Sequence, residues 1–266
     1  KYSHRNYLNV YTSSIIKIMD KIKKFNKSVD EIKKLFPENS IYLNEKIVEH
    51  SMCTNLFIEK NNLLDWYKKI SSKKIDVEII NLNEMNSWEL SNDKIMHNSK
   101  KFFQVKGLRV NNTERENQRS WDQPILKEIN YDGGLLGLVR GLKNGLPHYL
   151  VEAKFEPGNY NQYQLSPTLQ ATFSNLSKAH GGRAPHYYEL FKDYSDNLGD
   201  YSFSGWLSED GGRLLNKRNF GLVKTINIDN FELVNENFNW VSLFQLKEIL
   251  KSDAIVNPHL MRLMFL

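Results

Sequence analysis

The sequence predicts an α+β fold, in which a helical amino-terminal segment packs on a module built around a mixed or antiparallel sheet and flanked by helices. Three observations predict it. Apolar residues recur at helical spacing in the first part of the chain, strand-like runs take over after Lys100, and the tail carries a capped helix. In the first part, Ile15, Ile16, Met19 and Ile22 recur among Lys and Asp, and Ile32 and Leu35 continue the pattern until Pro37 stops it. Trp66 and Tyr67, after Asn61-Asn62-Leu63-Leu64-Asp65, mark a second, short helix. Residues 1–82 are therefore read as the helical segment and 83–266 as the module. Within the module, Phe103, Val105 and Leu108 to Val110 read as strand, as does Trp121 to Ile129. Two apolar runs, Gly134 to Leu142 and His148 to Phe155, flank Lys143-Asn144-Gly145. Asn-Gly tolerates the positive φ of a tight turn, so these runs form a hairpin. Tyr163 to Phe173 reads as a further strand, Tyr187 to Phe191 as a short helix and Leu222 to Ile228 as a strand. Ser242-Leu-Phe-Gln245 is a capping box, and Leu243, Leu246, Ile249 and Leu250 form the stripe of the helix it opens.

Composition narrows the class. With 40% apolar and 25% charged residues, the 266-residue chain can fill one large core or two modest ones, which excludes disordered and fibrous classes. The net charge of +5 is spread along a Lys/Asn/Ile-rich chain, and no clustered basic helix is visible, so nucleic acid is not an expected partner. No apolar run approaches the roughly 18 residues of a membrane span, and the start shows no signal-peptide pattern; a soluble, cytoplasmic protein without membrane contact is expected. Cys53 is the lone cysteine, which leaves no intrachain disulfide, cysteine zinc cage or CxxC pair. The chain begins at Lys1 rather than Met, and a few native residues are expected to precede it.

The common catalytic signatures are missing. The seven histidines fall into neither HExxH nor HxH spacing, and GxGxxG, GxxxxGK[ST] and GxSxG do not occur. Neither a metal nor a cofactor is called for. Polar groups concentrate instead between Glu152 and His186. Gln164, Thr168, Gln170, Thr172 and Ser174 are all even-numbered, and on a strand they share one face. Such a face suits a solvated sheet surface or a sugar-binding one. The carboxylate of Glu156 and the imidazole of His180 in the same span favour chemistry.

The run Glu152-Ala-Lys-Phe-Glu-Pro-Gly-Asn-Tyr-Asn-Gln-Tyr-Gln-Leu-Ser-Pro-Thr-Leu-Gln-Ala-Thr-Phe-Ser-Asn175 resembles the signature of NDP-hexose 2,3-dehydratases. The resemblance extends to His97-Asn-Ser-Lys-Lys-Phe-Phe103 with Gly107-Leu-Arg-Val110, to Trp121-Asp-Gln-Pro-Ile125, to Ser208-Glu-Asp-Gly-Gly-Arg213 with Asn216-Lys-Arg218, and to Trp240-Val-Ser-Leu-Phe-Gln-Leu246. It implies a Nudix-like module, although the hydrolase box of that fold is missing here, and a reaction that needs no cofactor: loss of water across C2 and C3 of a nucleotide-linked 4-keto-6-deoxyhexose, most often the dTDP sugar. A functionally coupled 3-ketoreductase would consume the product. Proton removal at C3, beside the C4 ketone, gives an enolate from which the C2 hydroxyl departs.

Under this resemblance Glu156 and His180 are the candidate base and acid, with Tyr188, or its neighbour Tyr187, as a further proton or oxyanion donor. Each also has a structural reading: a turn carboxylate, a loop histidine ahead of Gly181-Gly182, core aromatics. Candidate substrate-binding residues are Arg109, Trp121, Gln123, Lys154, Asn159, Gln164, Thr168, Gln170, Asn175, Trp206, Arg213 and Lys217. Arg213, with Lys217 and Arg218 nearby, suits a diphosphate, or equally a salt bridge to Glu209 or Asp210. Trp121 and Trp206 suit the nucleotide base, or simple packing. A non-catalytic sugar-nucleotide-binding module and a 3-epimerase or isomerase working through the same enolate are the alternatives. Characteristic enzymes of the family carry two copies of the module and every motif here occurs once, so the resemblance implies a homodimer.

Overall fold

Helix spacing becomes structure first. The computed structural model describes residues 3–52, 60–91, 93–111, 120–130, 133–143, 145–178, 181–229, 231–252 and 254–264, and of 3–18 and 60–62 the backbone alone. Helix α1 (Ser3–Leu35) ends ahead of Pro37, whose ring and missing N–H oppose a further turn. Its packed stripe is Ile22, Phe25, Val29 and Ile32, set against Val48, Leu146 and Phe244. Met19 and Leu35, which the apolar spacing also suggested, are exposed. At 3.6 residues per turn both lie roughly 100° from the centre of that stripe. Helix α2 (Ile41–Ser51), unmarked in the sequence reading, is capped by Ser40, whose Oγ accepts from the Leu43 N–H at 3.1 Å. Helix α3 (Lys60–Ser71) carries Trp66 and Tyr67 as expected and buries Leu63, Tyr67 and Ile70. Helical structure stops there, short of residue 82, apart from a 3₁₀ turn at Leu82–Glu84. In between, Ile75, Val77 and Ile79 alternate with Asp76 and Glu78 at the period of a strand.

Strands β1 (Trp88–Ser91), β2 (Lys94–His97), β3 (Phe103–Asn111) and β4 (Ser120–Glu128) form an antiparallel meander in that order. Strands β5 (Gly134–Lys143) and β6 (Leu146–Phe155) form the predicted hairpin: Lys143 lies opposite Leu146, and Gly145 adopts φ +71°. Asn144 lies outside the described residues. The expected strand Tyr163 to Phe173 is two, β7 (Tyr163–Pro167) on β6 and β8 (Leu169–Thr172) on β5, divided at Thr168. Helix α4 (Phe173–Leu176) follows, capped by Thr172. The expected helix at Tyr187 to Phe191 is a 3₁₀ turn, Tyr188–Leu190, because Tyr187 takes the left-handed φ of +60°. Strands β9 (Phe203–Ser208), β10 (Arg218–Ile226) and β11 (Phe238–Val241) precede α5 (Leu243–Ile249), which opens on the predicted capping box, and α6 (Pro258–Met264).

The larger sheet runs β11-β6-β5-β10-β9. Gly133 meets Arg218 and Gly141 meets Ile226, so β10 runs beside β5 in the same direction. The β5/β6, β6/β11, β5/β8 and β9/β10 pairs are antiparallel, and the sheet is therefore mixed. With its helical amino-terminal part, the chain has the predicted α+β class.

The chain divides into two compact units: Lys1–Lys73 with Leu138–Ser166 and Lys224–Leu266, and Lys74–Gly137 with Pro167–Val223. In the first, Tyr149, Leu150, Val151, Leu165, Val241, Leu260 and Leu263 are fully buried. An ionic network lies within it. Glu45 accepts from Arg140 at 2.7 Å, Lys46 donates to the Tyr149 hydroxyl at 3.0 Å and the Met264 carbonyl at 2.7 Å, and Tyr149 donates to Glu49 at 2.6 Å. Burial pushes the Glu49 carboxyl up and the Lys46 ammonium down from their ordinary ranges. The second unit holds the meander, the start of β5, β8, α4, β9 and most of β10. Among the described residues no helix is long and apolar enough to cross a membrane.

Candidate functional site

A pocket of about 180 Å³ opens in the second unit where three chain junctions meet. Lys101, Phe102 and Phe103 lead into β3, Glu128 and Ile129 end β4, and Thr172, Ser174 and Asn175 mark the passage from β8 into α4. Backbone bonds tie these junctions together. Phe103 lies opposite Glu128 in the β3/β4 ladder, and Ile129 N–H donates to the Phe102 carbonyl at 3.1 Å. Phe173 N–H donates to the Gly133 carbonyl at 3.1 Å, and Gly133 N–H donates to Glu128 Oε2 at 2.8 Å. Gly133 has no substitute here: its φ is +108°, and a Cβ would stand 2.0 Å from the Arg218 carbonyl oxygen.

The walls of the pocket are chemically mixed. The rings of Phe102 and Phe103 are held by Trp88, centroids 6.2 and 5.4 Å away, and His97 meets Phe102 edge-on at 4.6 Å. Thr172 Oγ1 and Ser174 Oγ share a hydrogen bond of 2.8 Å, and Thr172 Oγ1 also caps the Asn175 N–H. The other Glu128 oxygen accepts from Lys217, and both of these side chains are mostly buried. Aromatic faces beside hydroxyl, amide and carboxylate groups suit a hydroxyl-bearing, partly apolar ligand.

The structure brings some of the sequence-predicted residues to this pocket and places others apart. Asn175 lines it, and Lys217 reaches Glu128 on its wall. Gln170 faces Leu136 across the β5/β8 ladder, and Thr168 is buried at the break between β7 and β8. Trp121 donates to Gln123 at 2.8 Å, and Gln123 donates to the Gly212 carbonyl at 2.7 Å, docking the 209–213 loop on β4. Leu126 N–H donates to the Arg213 carbonyl at 2.9 Å in the same contact. The Arg213 side chain is 80% exposed and pairs with Asp210 at 2.6 Å, the salt bridge that competed with a diphosphate role. Arg109 lies on the opposite face of the meander from Trp121 and Gln123 and bonds Asp122 through two nitrogens at 2.8 and 2.7 Å. Those bonds hold the Asp122 carboxyl below the usual carboxylate range. Trp206, 47% exposed on β9, carries the Arg218 guanidinium 3.8 Å over its ring and Phe220 at 5.1 Å. Tyr188 is half-buried in its 3₁₀ turn and donates its N–H to the Pro185 carbonyl at 3.3 Å.

Lys154, Glu156, Asn159 and Gln164 belong to the first unit. Glu156 opens a turn in which its N–H donates to the Gln162 carbonyl at 3.0 Å and its carbonyl accepts from Asn159 N–H at 3.1 Å. Its carboxylate is 43% exposed, 3.9 Å from Lys154 Nζ. Gln164 Nε2 donates to the Ala254 carbonyl at 2.9 Å and so ties β7 to the tail. His180 lies outside the described residues. Glu128 and Phe220 were not among the candidates. For Glu128 the deciding partner, Lys217, is 89 residues away, and no local pattern in the sequence announces that pairing.

The family model for NDP-hexose 2,3-dehydratases matches residues 60–265. The chain belongs to that family. The resemblance carried by the Glu152–Asn175 run and its companions is thereby borne out. Among members with an assigned activity, the chain is 35% identical over 179 residues to a dTDP-4-dehydro-6-deoxy-alpha-D-glucopyranose 2,3-dehydratase of Streptomyces violaceoruber, covering 66% of this chain and 39% of that protein. A protein of the same description from Saccharopolyspora spinosa is 33% identical over 191 residues, 71% of this chain and 38% of its own length. A third, from Amycolatopsis orientalis, is 32% identical over 189 residues. The chain thus spans about two fifths of the length of the curated relatives it matches. In family terms, the pocket joins two resemblance segments, the one ending at Phe103 and the one ending at Asn175.

Proposed function

We propose that this protein removes water across C2 and C3 of a dTDP-linked 4-keto-6-deoxyhexose, acting as a hydro-lyase in deoxysugar biosynthesis. The observation that carries the reading is the meeting of the two family segments in one pocket, supported by the activity of the relatives. In this reading the hexose enters between the Phe102 and Phe103 rings and the Thr172, Ser174 and Asn175 side chains. Aromatic faces meet the C–H-bearing side of the sugar, and the hydroxyl and amide groups bind its oxygens.

The reaction sets three requirements: a base at C3, donors at the C4 oxygen where charge develops, and an acid at the C2 hydroxyl. Glu156, His180 and Tyr188 are the acid–base groups offered by the family resemblance. Arg213 would serve the diphosphate by exchanging Asp210 for phosphate oxygens. Trp206, with Arg218 already stacked on it, would take the base on the exposed face of the pair. The active form is a homodimer in a soluble cytoplasmic setting, and a 3-ketoreductase acts next on the product.

Incubating the purified chain with dTDP-4-keto-6-deoxyglucose and trapping the product with a 3-ketoreductase tests this. The expected result is a 2-deoxy product. Proton exchange at C3 without water loss would instead make the protein an epimerase or isomerase, and binding without either would make it a non-catalytic module.

A further inference from the structure

The pocket contains a carboxylate that the family resemblance did not single out. Glu128 is anchored through both oxygens, Oε2 accepting the Gly133 N–H at 2.8 Å and Oε1 accepting from Lys217. Its side chain is only 16% exposed, and it lines the pocket. Anchoring by a backbone N–H and a mostly buried ammonium fixes where the carboxylate points. A carboxylate with two oxygens has about four acceptor positions, so two partners leave lone pairs for a third group. The Phe102 and Phe103 rings with Ser174 and Asn175 beside Glu128 suit a hexose there, while Lys217 and Lys101 offset the carboxylate's charge.

From this geometry we propose that Glu128 is the catalytic base of the dehydration, an inference that rests on the dehydratase reading above. Glu128 takes the C3 proton. The C3–H electron pair becomes the C3–C4 double bond of the enolate, with the charge on the C4 oxygen. That pair then returns to form the C2–C3 double bond as the C2–O bond breaks, and the departing hydroxyl takes a proton from an enzyme acid and leaves as water. One proton is gained by Glu128 and one is given by the acid, so the balance is loss of water with no oxidant or reductant. Lys217 is a positioning residue, holding the carboxylate in place. The acid at C2 is a second group of the enzyme.

The test compares the wild-type chain with Glu128→Gln and Glu128→Asp. The readouts are C3 deuterium exchange in deuterium oxide, followed by NMR, water loss from dTDP-4-keto-6-deoxyglucose, and calorimetric binding of the same sugar nucleotide. Glu128→Gln should lower exchange and water loss together by about 100- to 10,000-fold, with binding within a few-fold of wild type. Exchange within tenfold of wild type would overturn the assignment, as would a loss of rate matched by an equal loss of binding. Should the Gln variant not fold, Glu128→Asp keeps the charge and withdraws the carboxylate, lowering kcat by about tenfold or more at constant KM; wild-type turnover in that variant would overturn the assignment. A folded wild type that neither exchanges nor dehydrates would overturn the dehydratase reading itself, and this assignment with it.

Discussion

At the scale of single residues, Gly133 links stability to the site. It has a positive φ, a backbone carbonyl where a Cβ would go, and an N–H that holds Glu128. Gly133→Ala would force L-residue strain and a clash with the Arg218 carbonyl, which is backbone and cannot swing aside. The expected cost is about 2–4 kcal/mol, read as a lowered urea midpoint. A change below about 0.5 kcal/mol would mean that the turn relaxes freely. Little of this was legible beforehand. Gly133-Gly134 reads only as a tight turn, and Arg218 lies on a strand that pairs through long-range contact. Asn175, by contrast, was legible because it closes the most distinctive run of polar residues in the chain, and it does line the pocket. Arg213 was legible only as two alternatives, and in the structure it takes the nearby Asp210, three residues back.

At the scale of elements, the readable parts were those whose signal is local. The β5/β6 hairpin had Asn-Gly between two apolar runs, and α5 had its capping box within four residues. The break at Thr168 was hidden because an even-numbered polar row looks like one strand, whereas β7 and β8 pair with different neighbours. Helix α2 was hidden for another reason. Its buried face includes Asn44, Lys46 and Glu49, which a hydrophobic pattern cannot mark; Tyr149 of the hairpin partners Lys46 and Glu49, and Asn44 accepts from Asn39. Its docking should depend on pH. Burial, then the charges of Lys46 and Lys247, lower the His50 pKa from 6.5 to about 4, against a smaller upward push from the Met264 carbonyl. The imidazole is neutral in the folded state, so below pH 6.5 the unfolded chain binds the extra proton. The stability this contributes is fully present above pH 6.5 and is lost as pH falls through about 4. Thermal melts across that window should show a smaller loss of Tm in His50→Gln than in wild type. Parallel slopes would remove His50 as a cause. Glu49 works the other way: burial raises its pKa, so its contribution is present below 4.5 and is lost as pH rises through the raised value. Comparison with the His50 variant isolates the histidine because Glu49 is common to both proteins.

At the scale of the whole molecule, the decisive contrast is with the relatives. The matched stretch is 39% of the Streptomyces protein and 38% of the Saccharopolyspora protein, and each motif of the family resemblance occurs once in this chain. If paired modules are the working arrangement, two copies of this chain would supply it through a two-fold interface that uses the same surface on both subunits. The segment between α3 and β1 has the chemistry for such a surface. Ile75, Val77 and Ile79 alternate with Asp76 and Glu78 in the pattern of a half-buried strand, yet they belong to no strand of the structure. Val77 is 50% exposed and Ile79 99% exposed. Apolar side chains left in water mark an interaction surface. In light scattering the chain should therefore run at twice its 31.2 kDa mass, and Ile79→Lys should move it toward monomer at low micromolar concentration while leaving its far-UV circular dichroism unchanged. A wild type that is monomeric at every concentration and fully active would show that a single copy of this chain suffices.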